Sequence, residues 1–150
     1  MLRDDINNAL KDAMKAKQVR RVSTLRLMNA AIKDKDIEAR GAGKGPLSDE
    51  ELLGVFQKMI KQRQESADLY DKGGRPELAA GEREEIVIVT AYLPKQMSDD
   101  EIKAAIEAAV KDTGAAGIKD MGKVIGALKG KFAGQMDMAK ASGMVKARLQ

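Results

Sequence analysis

Any chemistry in this chain has to be done without histidine or cysteine. That removes a Ser-His-Asp relay, a histidine-ligated metal and a thiolate nucleophile together. Five serines remain. Ser48 and Ser98 each stand three residues before a glutamate, Glu51 and Glu101, a spacing that commits their hydroxyls to capping a helix. Ser23, Ser66 and Ser142 fall within helical stretches and lack the glycine-rich elbow that presents a nucleophile. A lysine-assisted serine is left open by composition, but no pattern marks one. Gly41-Ala42-Gly43-Lys44-Gly45 has the residue types of a phosphate loop without its spacing or its preceding strand, so a plain loop is expected. Carboxylates at Glu82, Glu84, Glu85 and at Asp99, Asp100, Glu101 are expected near helix N-termini, where the dipole favours them, rather than around a metal. No catalytic residue, metal ligand or cofactor is expected.

A different constellation stands out. "GKVIGALKGKFAG" places glycine at every fourth position: Gly122, Gly126, Gly130 and Gly134. At about 100° per residue, Met121, Val124, Ile125, Leu128 and Phe132 gather on one side of a helix. Gly122, Gly126 and Gly130 fall nearly opposite, with Lys119, Lys123 and Lys129 beside them. Each interior glycine costs roughly 0.5–1 kcal/mol relative to alanine. Three readings fit the pattern. In the first, Gly122 lies near the helix start, Gly130 near a C-cap, and the lysines simply solvate a face. Alternatively, phosphates of a polyanion approach the bare backbone while the lysines neutralise them. In the third, a partner helix packs on the small residues.

The elements that position these residues are expected to be helices throughout. The composition is rich in Ala, Leu, Lys, Glu and Met, with three prolines, two Tyr, two Phe and no Trp, which favours an all-α fold around an aliphatic core. Apolar periodicity places a first helix at Leu2, Ile6, Ala9, Leu10, Ala13 and Met14. A second runs from about Val19 to Glu38, and the loop Arg40–Ser48 follows. Ser48 starts a third helix, which ends at Gly73-Gly74. Pro76 opens a fourth, reaching Leu93-Pro94 through the strand-like letters "IVIVT". Ser98 starts a fifth, stopped by Gly114. A sixth spans about Asp120 to Lys131, and a seventh is capped by Asp137. Pro94 with a fresh cap behind it suggests two subdomains: residues 1–93 with about four helices, and 94–150 with a compact set of three.

The formal charge is +4, unevenly distributed. Residues 119–150 carry seven basic against two acidic residues, and residues 1–35 carry nine against four, each a net +5. The N-terminus is charged where a secretory signal would be apolar, and no apolar run reaches the ~18 residues of a membrane span. A cytoplasmic protein that does not enter a membrane is the expectation.

Tyr92–Val110, "YLPKQMSDDEIKAAIEAAV", and Met121–Leu149, "MGKVIGALKGKFAGQMDMAKASGMVKARL", resemble the YqeY family. They are also similar to the C-terminal tail domain of GatB, the tRNA-handling subunit of the Asp-tRNA/Glu-tRNA amidotransferase. The resemblance extends over essentially the whole chain, including "RVSTLRLMNAAIKDKDIEAR" near its start. It implies an all-helical fold, a tRNA partner, a possible protein partner from the tRNA-charging or amidotransferase machinery, and a label of glutamine-dependent carbon–nitrogen ligase that belongs to the complete amidotransferase. The matched positions are Gly122, Lys123, Gly126 and Lys131. With Lys119, Lys129 and Gly130 they form the expected nucleic-acid-binding set. Where relatives commonly continue Arg-Ala-Asp after the last glycine, this chain reads Gln135-Met136-Asp137, with one cation fewer.

Overall fold

The computed structural model describes residues 1–150 and is all-α. Seven α-helices follow one another: α1 Leu2–Lys15, α2 Val19–Gly41, α3 Asp49–Lys72, α4 Pro76–Thr90, α5 Asp99–Thr113, α6 Met121–Phe132 and α7 Met138–Leu149. A single 3₁₀ turn, Ile118–Asp120, leads into α6. The chain divides into two compact units, Met1–Leu93 and Pro94–Gln150.

In the first unit, α3 packs along α4 and α1 along α2. Ile6, Leu25, Met28, Leu52, Phe56 and Val89 close its core. The Ser48 hydroxyl accepts from the Glu51 N–H while the Glu51 carboxylate accepts from the Ser48 N–H, so both partners of the cap are satisfied. Arg3 pairs with Asp36 and donates to the Leu47 carbonyl at 2.8 Å, fastening the loop before α3 to α1 and α2.

Several sequence expectations shift here. α2 runs on through Arg40 and Gly41, because the first left-handed residue after its start is Gly43, at φ +75°. α4 stops at Thr90; the next turns tighten to i→i−3 bonds, Tyr92 to Val89 and Leu93 to Thr90. The residue before Pro94 disfavours helical geometry, which ends the helix early. Glu84 and Glu85 lie in the middle of α4, not at its start. There Glu85 accepts from Arg63 of α3 at 2.9 Å, and Arg20 of α2 approaches both glutamates. Gly81 leaves room for that arginine, since a Cβ would lie 2.9 Å from its guanidinium. Met14 is half exposed instead of joining the α1 stripe.

In the second unit α5, α6 and α7 enclose Ile102, Ile106, Val124, Leu128, Met136 and Val145. Ser98 and Glu101 repeat the reciprocal cap of α3. The Asp137 carboxylate caps α7 by accepting from the N–H groups of Ala139 and Lys140. Between α6 and α7 the chain folds back on the start of the unit. Met97 N–H donates to the Gln135 carbonyl at 2.8 Å, and the Gln96 amide donates to the Gly134 carbonyl at 2.7 Å.

Candidate nucleic-acid interface

α6 is held by its apolar stripe, with Val124 and Leu128 buried and Met121, Ile125 and Phe132 packed at the margin. Its start is made by the preceding turn. The Asp120 carboxylate reaches back to accept from the Ala116 N–H at 2.9 Å and makes no side-chain cap to α6 itself. That N–H holds the Asp120 carboxyl below its ordinary range; desolvation opposes it, and the nearby Lys123 and Lys119 add to the lowering.

The expected binding residues occupy the opposite arc. Gly122, Lys123, Gly126, Lys129, Gly130 and Lys131 are all exposed on α6, and Lys119 is exposed on the 3₁₀ turn. A Cβ built on Gly122, Gly126 or Gly130 meets nothing within 4 Å. All three have helical backbone, since the positive-φ residues lie elsewhere. Neither conformation nor internal space therefore calls for glycine at these positions. Gly134 is different. It is buried and adopts φ +77°, so the glycine repeat ends as a turn residue outside the strip. Gly130 lies within the last turn of the helix, and the helix ends at Ala133 in an extended conformation, so a glycine C-cap does not account for it. Ala127, exposed between the lysines, extends the bare strip by one small residue that sequence reasoning passed over.

The cations around the strip are unequally engaged. Lys123 Nζ lies 3.9 Å from Asp120 and keeps most of its side chain in solvent. Lys131 Nζ stands 5.7 Å from the centroid of the neighbouring Phe132 ring. Lys129 and Lys119 form no ion pair. By contrast, Lys140 and Arg148 of α7 are paired with Asp99 and Glu107 of α5. α6 contains no carboxylate at all. Lys129 and Lys131 also suit the negative end of the helix dipole, which gives them a local electrostatic reason independent of any ligand. The arrangement is an exposed, positively charged strip of small residues on α6.

The family described as Yqey-like protein matches residues 3–149. Curated relatives include "Altered inheritance of mitochondria protein 41, mitochondrial" from Vanderwaltozyma polyspora, 33% identical over 105 residues, covering 69% of this chain and 55% of the relative. The protein of that name from Eremothecium gossypii is 37% identical over 84 residues, covering 56% and 44%. That from Saccharomyces cerevisiae is 34% identical over 84 residues, with the same coverage. The chain thus spans about half the length of the curated relatives it matches. The cytoplasmic placement expected from the sequence is corrected by these relatives, which are named as mitochondrial. The physical reason is simple: a charged N-terminus and the lack of an apolar span do not distinguish one aqueous compartment from another. No helix is long and apolar enough to cross a membrane.

Proposed function

The chain belongs to the YqeY family, and from that membership, read with the open strip on α6, we propose a non-catalytic helical module that binds folded tRNA in association with amidotransferase-type machinery. The single observation that carries this reading is the exposed arc of α6, where three glycines with open space above them alternate with lysines and no carboxylate intervenes. Bare backbone lets a phosphate come close, and the ammonium groups replace its counterions. With only four aromatic residues in the chain, base stacking contributes little, so recognition runs through the sugar–phosphate backbone and the tRNA's shape. Similarity to the GatB tail domain supports tRNA as the partner, and the ligase activity belongs to a complete amidotransferase.

The test is the double substitution Lys123→Glu with Lys131→Glu, both on exposed side chains. Equilibrium tRNA binding should weaken, and the slope of log K against log salt should become shallower by about 1 per lost phosphate contact. A folded double variant that binds tRNA with unchanged affinity and salt slope removes the assignment.

The small-xxx-small spacing of Gly122, Gly126 and Gly130 supports a second reading, an adaptor that docks a partner helix on the same face. Gly126→Leu would then abolish partner association, while the lysine reversals matter less. We further propose that residues 1–93 and 94–150 are separate domains, each able to fold alone. Circular dichroism of the two halves expressed separately tests this, and an unfolded half would refute it.

A further inference from the structure

Every residue with positive φ in the chain is a glycine except one, Lys17, at φ +56°. Lys17 closes the turn between α1 and α2. Its N–H bonds to the Met14 carbonyl at 3.2 Å, and the Gln18 N–H bonds to the Ala13 carbonyl at 3.0 Å. This paired bonding normally places glycine where Lys17 stands. A side chain in that conformation is strained by roughly 1 kcal/mol, so a cation stands here where the backbone favours glycine.

Beside the turn lies an open groove of about 330 Å³, lined by Met14, Lys17, Val19, Val22, Ser23 and Arg26. Two of its apolar members are bare, Met14 at 50% and Val19 at 81% exposure, and Val22 between them and the core is half-buried. Lys17 and Arg26 at the rim form no ion pair. From Ala13 to Lys33 the sequence has six basic residues, Lys15, Lys17, Arg20, Arg21, Arg26 and Lys33, and no acidic one, although Arg20 is engaged by Glu84 and Glu85 of α4. α2 begins without a side-chain cap and without an acidic residue in its first turn.

We propose that this groove docks an acidic amphipathic segment of a partner protein, with an apolar side chain seated on Met14, Val19 and Val22 and flanking carboxylates facing Lys17 and Arg26. Charge complementarity sets the sign of the occupant and the apolar floor sets its class. A nucleic-acid backbone has no use for exposed aliphatic side chains, and no aromatic lines the groove to stack a base. An anionic lipid surface would use the same residue types, so vesicles are a competing arm of the test. The proposal does not depend on tRNA binding at α6 and concerns a different unit.

The probe is a short synthetic amphipathic peptide with one leucine stripe flanked by glutamates, titrated into the full ¹⁵N-labelled chain. Amide shifts should be confined to the Met14–Arg26 region. Val19→Ser, on a solvent-exposed side chain, should weaken binding about tenfold. Lys17→Gly should weaken it roughly two- to fivefold while relieving the turn, so loss of folding cannot explain the result. Lys129→Glu on α6 should leave peptide binding unchanged. Four outcomes overturn the proposal: no shifts in this region, equal binding of a peptide with serines in place of leucines, tighter binding of RNA or phosphatidylserine vesicles at the same residues, or concentration-dependent shifts there without peptide, which indicate a second copy.

Discussion

Helices α3 and α5 begin with the same reciprocal serine–glutamate cap and an acidic first turn, Asp49-Glu50-Glu51 and Asp99-Asp100-Glu101. Helices α2 and α6 begin without a side-chain cap and without an acidic residue in the first turn, the Asp120 carboxylate before α6 being turned back to Ala116. The contrast divides the helices by where their stability comes from. α3 and α5 satisfy their own N-termini and neutralise their own dipoles, so their starts are fixed by a few adjacent residues. α2 and α6 lack that local device and depend on burial alone: Leu25 and Met28 in one and Val124 and Leu128 in the other are at most 1% exposed. By contrast, α3 and α5 have buried residues and a cap as well. The first turns of α2 and α6, and the whole of α6, are free of carboxylates, and these are the surfaces that stay open and basic.

The comparison can be broken at its strongest point first. Leu128→Ala removes a side chain on which α6 depends and should cost about 2–5 kcal/mol in chemical denaturation. A loss no larger than that of a cap would show that α6 is not held by its stripe. Next, Ser48→Ala and Ser98→Ala should each cost about 1 kcal/mol, because each leaves the Glu51 or Glu101 N–H without its acceptor. Unequal losses would mean that tertiary packing duplicates one of the caps. Smaller and opposite in sign, Gly126→Ala should stabilise the fold by roughly 0.5–1 kcal/mol, since its Cβ enters open space. The same substitution should weaken tRNA binding if the bare backbone is what phosphates approach, and stability with unchanged binding would separate the strip from function.

The finest difference is in pH. The backbone N–H of Ser98 holds the Glu101 carboxyl below its ordinary range, and the Arg3 side chain does the same for Asp36. A carboxylate with a lowered folded pKa adds stability above its unfolded value, near 4, and that stability is lost as pH falls through the folded pKa. The first turn of α5 should therefore loosen in acid, with Glu101→Gln flattening the response because its amide oxygen still accepts. The start of α2 holds no carboxylate and should respond less. Amide exchange followed across this range checks both.

What could be read in the sequence follows the reach of each interaction. The caps at Ser48, Ser98 and Asp137 were legible because donor and acceptor lie within three residues. The helical state of "IVIVT" was legible because Ile86, Val89 and Leu93 keep helical spacing despite β-branching, although only Val89 is fully buried. The outward face of Gly122, Gly126 and Gly130 followed from a single helix wheel. Glu84 and Glu85 were misplaced because their partners, Arg20 and Arg63, are remote in sequence and no local pattern announces them. Met14 shows the same limit, since periodicity identified an apolar side chain but not that no neighbour covers it.

By itself, then, the sequence determined that this protein is helical, where most helices start, and which side of α6 faces its core, because these depend on backbone propensity and on contacts within a turn or two. Only the tertiary structure decided which cations remain unpaired, that Gly134 leaves the strip to make a buried turn, and that an apolar groove opens beside Lys17. Those features come from elements far apart in the chain being brought into contact, or left out of it, when the core closes.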